Sequence, residues 1–225
     1  GMDKAHGELK NSVTLGEVLR SAGYQTLWAG KHHGTENPYT RGFDHYFGLR
    51  DGACNYFNPG LQRPGEAKPA QKQYGKRFWC IDDKTLQPYT PEEKDFYTTD
   101  YFTRYGVTWL DELQKSDPGG EKPFFLYMAY NAPHDPLMAW PEDIVKYEGK
   151  YLAGYEAIRD ARYKRQVESG LIDPRVAPVS GRDGPDWASF SDEKKKEEDR
   201  KMAVYAAMID RMDQGIAKII AELEK

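Results

Sequence analysis

Eight consecutive residues, Pro123-Phe124-Phe125-Leu126-Tyr127-Met128-Ala129-Tyr130, constrain this chain more than any other segment. The run is apolar throughout, with no alternation of polar positions. It is far shorter than the roughly 20 residues a membrane helix needs. Its length and composition read as a strand covered on both faces, the kind found in the interior of a parallel sheet. A second, shorter strand is read at Gln25-Thr26-Leu27-Trp28-Ala29. A helix precedes it: Thr14-Leu15-Gly16-Glu17 fits a capping box, Leu15, Val18, Leu19 and Ala22 keep helical spacing, and Gly23 supplies the stop. Helix, glycine turn, strand and loop together make an α/β unit.

Helical spacing also predicts a helix from Thr98 to about Lys115, a short one over Pro141 to Tyr147, and a longer one over Tyr151 to Glu168. A last helix is expected over Ser191 to Glu224. Its first half, 192–201, is a run of mixed charge and reads as a solvated face. Its second half should pack on the core through Val204, Met208, Ile209, Met212, Ile216, Ile219 and Ile220. Residues 171–190 read as a connector rich in Pro, Gly and Asp. The stretch after Gly30 is rich in Gly, Pro, Asn and aromatics, with weak periodicity. The chain therefore divides into core units of about 12–50 and 98–225, separated by a loop-rich insertion of about 51–97.

A net charge of −4 gives no reason to expect nucleic acid as a partner. The two cysteines, Cys54 and Cys80, form no C-x-x-C pair and no disulfide framework.

Both strands run directly into loops that carry cationic or proton-carrying groups. Gly30-Lys31-His32-His33-Gly34 follows the first, and Asn131-Ala132-Pro133-His134 follows the second. In open α/β sheets ligands bind at the carboxyl ends of strands. Two such loops, with donors and no carboxylate cluster, point to a pocket for an anion. Lys31 would act there as a point charge. In an extended loop neighbouring side chains point opposite ways, so His33 rather than His32 should face the pocket with Lys31. Prolines on either side of His134 fix its loop, which suits proton transfer or charge stabilisation. Asp135 is not read as its partner, because adjacent side chains diverge. The adjacent histidines lack a third ligand at close spacing, which argues against a metal. Candidate nucleophiles are poor: Ser12, Thr14, Thr26 and Thr35 lack a base at a recognisable spacing, and Cys54 has no basic neighbour in sequence beyond Arg50.

These residues resemble a known family. Leu19-Arg20-Ser21-Ala22-Gly23-Tyr24-Gln25-Thr26 followed by Gly30-Lys31-His32-His33-Gly34 is similar to a signature of the sulfatases, as are Arg41 to Gly48, Pro123 to His134 and Tyr205 to Asp213. The resemblance implies an α/β fold: part of an alkaline-phosphatase-like parallel sheet flanked by helices. It implies hydrolysis of sulfate esters, with formylglycine as nucleophile beside a calcium ion. Lys31, His33 and His134 would be the catalytic residues, with His32 and Asn131 in substrate binding. The substrate would be a sulfated small molecule or glycan. The family's Cys/Ser-x-Pro-x-Arg maturation motif is absent from residues 1–14, and its calcium carboxylates are absent as well. The chain is therefore expected to be an internal piece of a sulfatase, inactive alone and holding no cofactor of its own. A phosphohydrolase of the same superfamily and a non-catalytic scaffold module are the alternatives. Because neighbouring strands would be missing, an open sheet edge is expected to drive self-association.

Overall fold

A computed structural model of the chain describes residues 9–70, 75–181 and 184–225. Part of the expected insertion (71–74), part of the 171–190 connector (182–183) and residues 1–8 lie outside the described residues. The chain folds as two compact units. The first takes the chain up to Met138 and returns with Met208–Lys225; the second is Ala139–Ala207. This division differs from the expected one, because the presumed insertion supplies strands to the central sheet of the first unit.

Helix α1 (Leu15–Ser21) opens the first unit. Its capping box is present: Glu17 N donates to Thr14 Oγ1, and Thr14 N donates to Glu17 Oε2. Strand β1 (Gln25–Gly30) lies beside β2 (His45–Leu49) and β5 (Phe124–Ala129), parallel to both. A hairpin of β3 (Trp79–Ile81) and β4 (Lys84–Leu86) extends the sheet antiparallel from β2. The order is β4-β3-β2-β1-β5, so the sheet is mixed rather than parallel throughout.

The apolar run at 123–130 is a strand, but it sits at the sheet's edge and not in its interior. Phe124 is 40% exposed and Tyr127 45%. Its apolarity marks a surface left open on this chain rather than a strand enclosed by it.

The core lies between the sheet and α2 (Thr98–Ser116). Leu27, Ala29, Phe47, Leu49 and Trp79 come from the strands, and Phe102 and Trp109 from the helix. Phe47 stacks on Tyr105 with ring centroids 3.8 Å apart. The second unit holds α3 (Pro141–Ile144) and α4 (Tyr155–Glu168). Within it Asp199 accepts hydrogen bonds from the backbone N–H groups of Gly149 and Tyr151. The final helix, α5 (Asp192–Leu223), runs from the second unit into the first. Fewer of its apolar residues are buried than the spacing predicts. Met208 and Ile219 are buried, whereas Ile209, Ile216 and Ile220 stay exposed.

Candidate functional site: a cationic cleft at the strand ends

Three loops meet beyond the carboxyl ends of β1, β2 and β5. Gly30 makes the first possible. Its φ is +133°, and a methyl group there would come within 2.0 Å of the Ala129 carbonyl oxygen. Without a side chain the backbone closes in, and Lys31 N donates to Ala129 O at 2.7 Å. His32 N then donates to Leu49 O and Gly34 N to Arg50 O. The loop after β1 is thus stitched to the end of β2, which sets Arg50 beside it. His33, between the two bonds, takes a left-handed φ of +62°. Its ring lies against the backbone of Gly52, where a methyl would approach Nε2 to 2.6 Å.

The third loop is held from below. Tyr56 is fully buried, and its hydroxyl reaches the carbonyl oxygens of Asn131 and His134, each at 2.9 Å. His134 N closes the turn by donating to Asn131 O. His134 Nδ1 lies 2.7 Å from the Asp135 carbonyl oxygen and 3.0 Å from Asp135 Oδ1. The expectation that adjacent side chains diverge fails here, because the turn brings the Asp135 carboxylate back to the ring. A carbonyl can only accept, so Nδ1 carries the proton of the neutral imidazole and Nε2 is left to exchange one.

Between these loops is a cleft of about 470 Å³. His33, Thr35, Arg50, Asp51, Arg77 and His134 supply its polar side chains, with Asp135 at the rim of His134. Lys31 is half-buried next to it, within Coulombic reach of Arg77. Burial is the main cause that lowers the Lys31 pKa; the nearby Cys54 thiol opposes this and the Arg77 charge adds to it. Burial likewise pushes the Cys54 thiol up to about 12, against the pull of Arg77. The thiol therefore stays protonated at neutral pH and is no nucleophile, although its surroundings are more basic than the sequence suggested.

His33 and His134 line this cleft together; Lys31 is not among its lining residues and is tied to it only through Coulombic reach of Arg77. The structure does not bring His32 or Asn131 into the cleft. His32 turns to the other side of the sheet, edge-on to Trp28 at 5.0 Å, in an apolar cavity of about 280 Å³ shared with Phe43, Phe125 and Tyr127. Asn131 is buried, where Thr98 Oγ1 donates to its side-chain oxygen at 3.2 Å. It anchors the His134 loop from inside. Sequence reasoning missed Arg50, Arg77 and Tyr56. Arg50 follows the β2 motif by two positions and could have been found from the strand end. Arg77 precedes a three-residue strand and gives no local signal.

The donor set does not fit calcium, which takes roughly six to eight oxygen ligands. Among the described residues no group of three or more His, Cys, Asp or Glu side chains is placed to hold a metal. Also among them, no helix is long and apolar enough to cross a membrane.

The sulfatase family model matches residues 2–225. An uncharacterized sulfatase of Schizosaccharomyces pombe is 34% identical over 97% of this chain and 39% of its own length. An arylsulfatase of Klebsiella aerogenes is 31% identical over 95% of this chain and 44% of its own. The chain thus spans about two fifths of the curated relatives it matches. Among solved structures, Ps i-CgsB superposes with a TM-score of 0.55 at 23% identity, covering 98% of this chain and 38% of that one. A protein solved with D-glucosamine-2-N,6-O-disulfate, described as its substrate, gives 0.54 at 18% identity, covering 99% and 48%.

Proposed function

The chain belongs to the sulfatase family, and from that premise we propose that the cleft between His33 and His134 binds a sulfate ester and takes part in its hydrolysis. The observation that supports this reading is that His33 and His134, from two separate strand ends, line one cleft with Arg50 and Arg77, and that the half-buried Lys31 lies within Coulombic reach of Arg77. A sulfate monoester carries one negative charge shared over three terminal oxygens. Lys31 and His33 suit those oxygens as charge and donor. Hydrolysis breaks the bond from sulfur to the ester oxygen, and negative charge develops on that oxygen as it leaves. His134, protonated, would give the Nε2 proton to it, while Asp135 holds the ring through Nδ1–H. The attacking group is not assigned to this chain. The family match and the curated relatives do not favour the phosphohydrolase or scaffold alternatives. The structural neighbour solved with D-glucosamine-2-N,6-O-disulfate supports a sulfated saccharide as the ligand class.

The test is calorimetric titration of the chain with N-acetylglucosamine 6-sulfate against the unsulfated sugar. Binding should require the sulfate, and His134→Ala and Lys31→Ala should each weaken it at least about tenfold, the lower end expected for hydrogen bonds to a charged group. Equal binding of the unsulfated sugar, or native affinity in both variants, would sink the proposal.

A further inference from the structure

We infer that Arg50 and Arg77 form a second anion subsite in the same cleft, so that the preferred ligand is a saccharide bearing a sulfate ester and a second anionic group, a sulfate or a carboxylate. This deepens the sulfate-ester reading and rests on it. Three observations lead there. The first is number. One sulfate monoester is matched by Lys31, His33 and His134, yet two guanidiniums also face the cleft.

The second is pairing. Neither arginine makes an ion pair with any described residue. The two cleft carboxylates are engaged elsewhere: Asp51 Oδ2 accepts from Phe78 N at 2.5 Å, and Asp135 is turned onto His134. Arg50 lies over the Phe78 ring at 4.3 Å. Stacking uses the flat face of a guanidinium and leaves its in-plane N–H donors for a ligand. Arg77 Nε is buried with no hydrogen-bond partner. A guanidinium with a buried, unmet donor and no carboxylate paired to it is unfavourable in the free protein, and its charge is favourably matched by an anion in the cleft it lines.

The third is size. The cleft volume, about 470 Å³, falls in the range of roughly 300–1,000 Å³ typical of sites for small organic molecules rather than single ions. A fork of parallel N–H donors is also the geometry that carboxylate and sulfate oxygens accept in pairs. These features specify a ligand with two anionic groups on one sugar or on neighbouring sugars.

The experiment compares three ligands by calorimetry on the whole chain: N-acetylglucosamine 6-sulfate, glucosamine 2-N,6-O-disulfate, and a 6-sulfated hexosamine joined to a uronic acid. The disulfate or the uronate conjugate should bind at least tenfold tighter than the monosulfate; which of them gains identifies the second group. Arg50→Gln and Arg77→Gln should each erase that preference, costing the disulfate or the uronate conjugate at least tenfold more than they cost the monosulfate. Arg50→Lys keeps the charge but loses the fork, and should retain only part of it. Arg175→Gln, on an exposed residue outside the cleft, should change nothing and so separates a built subsite from general attraction. Thermal melts of each variant verify that it is folded. Equal affinity for all three ligands, or a preference that survives both glutamine variants, overturns the second subsite and leaves the sulfate-ester reading standing. Binding of none of them overturns both.

Discussion

Tyr56→Phe removes one oxygen atom from beneath the loop that carries His134 and touches no ligand. The hydroxyl sits where water does not reach and donates toward two carbonyls, those of Asn131 and His134, each 2.9 Å away. Asn131 O keeps a second donor, His134 N, so the unmet acceptor after substitution is the His134 carbonyl. Leaving one buried acceptor unsatisfied costs about 1–3 kcal/mol, and partial access of water to His134 O places this case near the lower half. For a chain of this size that is a fall in melting temperature of roughly 2–8 °C. The ring remains, with its stacking against Tyr97, so no cavity opens. The consequence peculiar to this site is functional: the loop that aims His134 loses its tie, and monosulfate binding should weaken severalfold. Tyr130→Phe is the matched comparison, because its hydroxyl bonds Thr103 Oγ1 at 2.7 Å, away from the cleft. It should destabilise comparably and bind normally. Denaturant titration and calorimetry on the two variants read both quantities. If Tyr56→Phe bound as the native chain does, the claim that this hydroxyl positions His134 would be wrong.

Gly30→Ala should prevent folding or cost at least about 3 kcal/mol, since it places a methyl against the Ala129 carbonyl at a backbone angle side chains avoid; soluble yield and circular dichroism measure it, and a stable variant would contradict the strand-end geometry. Cys54, its thiol raised from the usual value near 9 to about 12, should resist alkylation by iodoacetamide at pH 8 until the chain is unfolded. Because the folded thiol holds its proton where the unfolded one releases it, its contribution to stability is complete below about pH 9 and is lost as pH rises toward about 12, which chemical denaturation over that window would show as a falling midpoint. The open edge of β5, with Phe124 and Tyr127 exposed, should drive self-association at high concentration, and Tyr127→Lys should reduce it; light scattering showing a monomer at all concentrations would remove that expectation.

What could be read from the sequence depended on whether a signal was local. The capping box of α1 is made by residues three apart, and the structure shows both of its hydrogen bonds. The strand at 124–129 was legible as a strand, but its place in the sheet was not. An apolar run records that both faces are to be covered; it does not record by what, and here α1 and α2 leave Phe124 and Tyr127 partly open. The hairpin of β3 and β4 was illegible for a different reason. Its strands have three residues each, too few for a period of two to show, and its turn uses Asp82 at a φ of +50° rather than a glycine. Burial of Trp79 and Cys80 against β2, a tertiary effect, is what makes this segment part of the sheet.

The site divides along the same line. The rings of His32 and His33 lie in different cavities, but a left-handed φ of +62° at His33, not the alternation of an extended loop, sets this. His134 was visible because two prolines bracket it. Arg77 could not be found that way, because what places it is the pairing of β3 with β2: Arg50 N donates to Phe78 O, and Asp51 Oδ2 accepts from Phe78 N. Those two bonds fix the residue after Arg77 against the residues at the end of β2, and so deliver a second guanidinium to the cleft that His33 and His134 line. The loop-rich segment therefore does more than connect. If the hairpin sets which anion pattern is accepted while the loops after β1 and β5 hold the sulfate, then changes at 76–78 should alter ligand preference without altering the requirement for a sulfate, and changes at 31–33 should do the reverse.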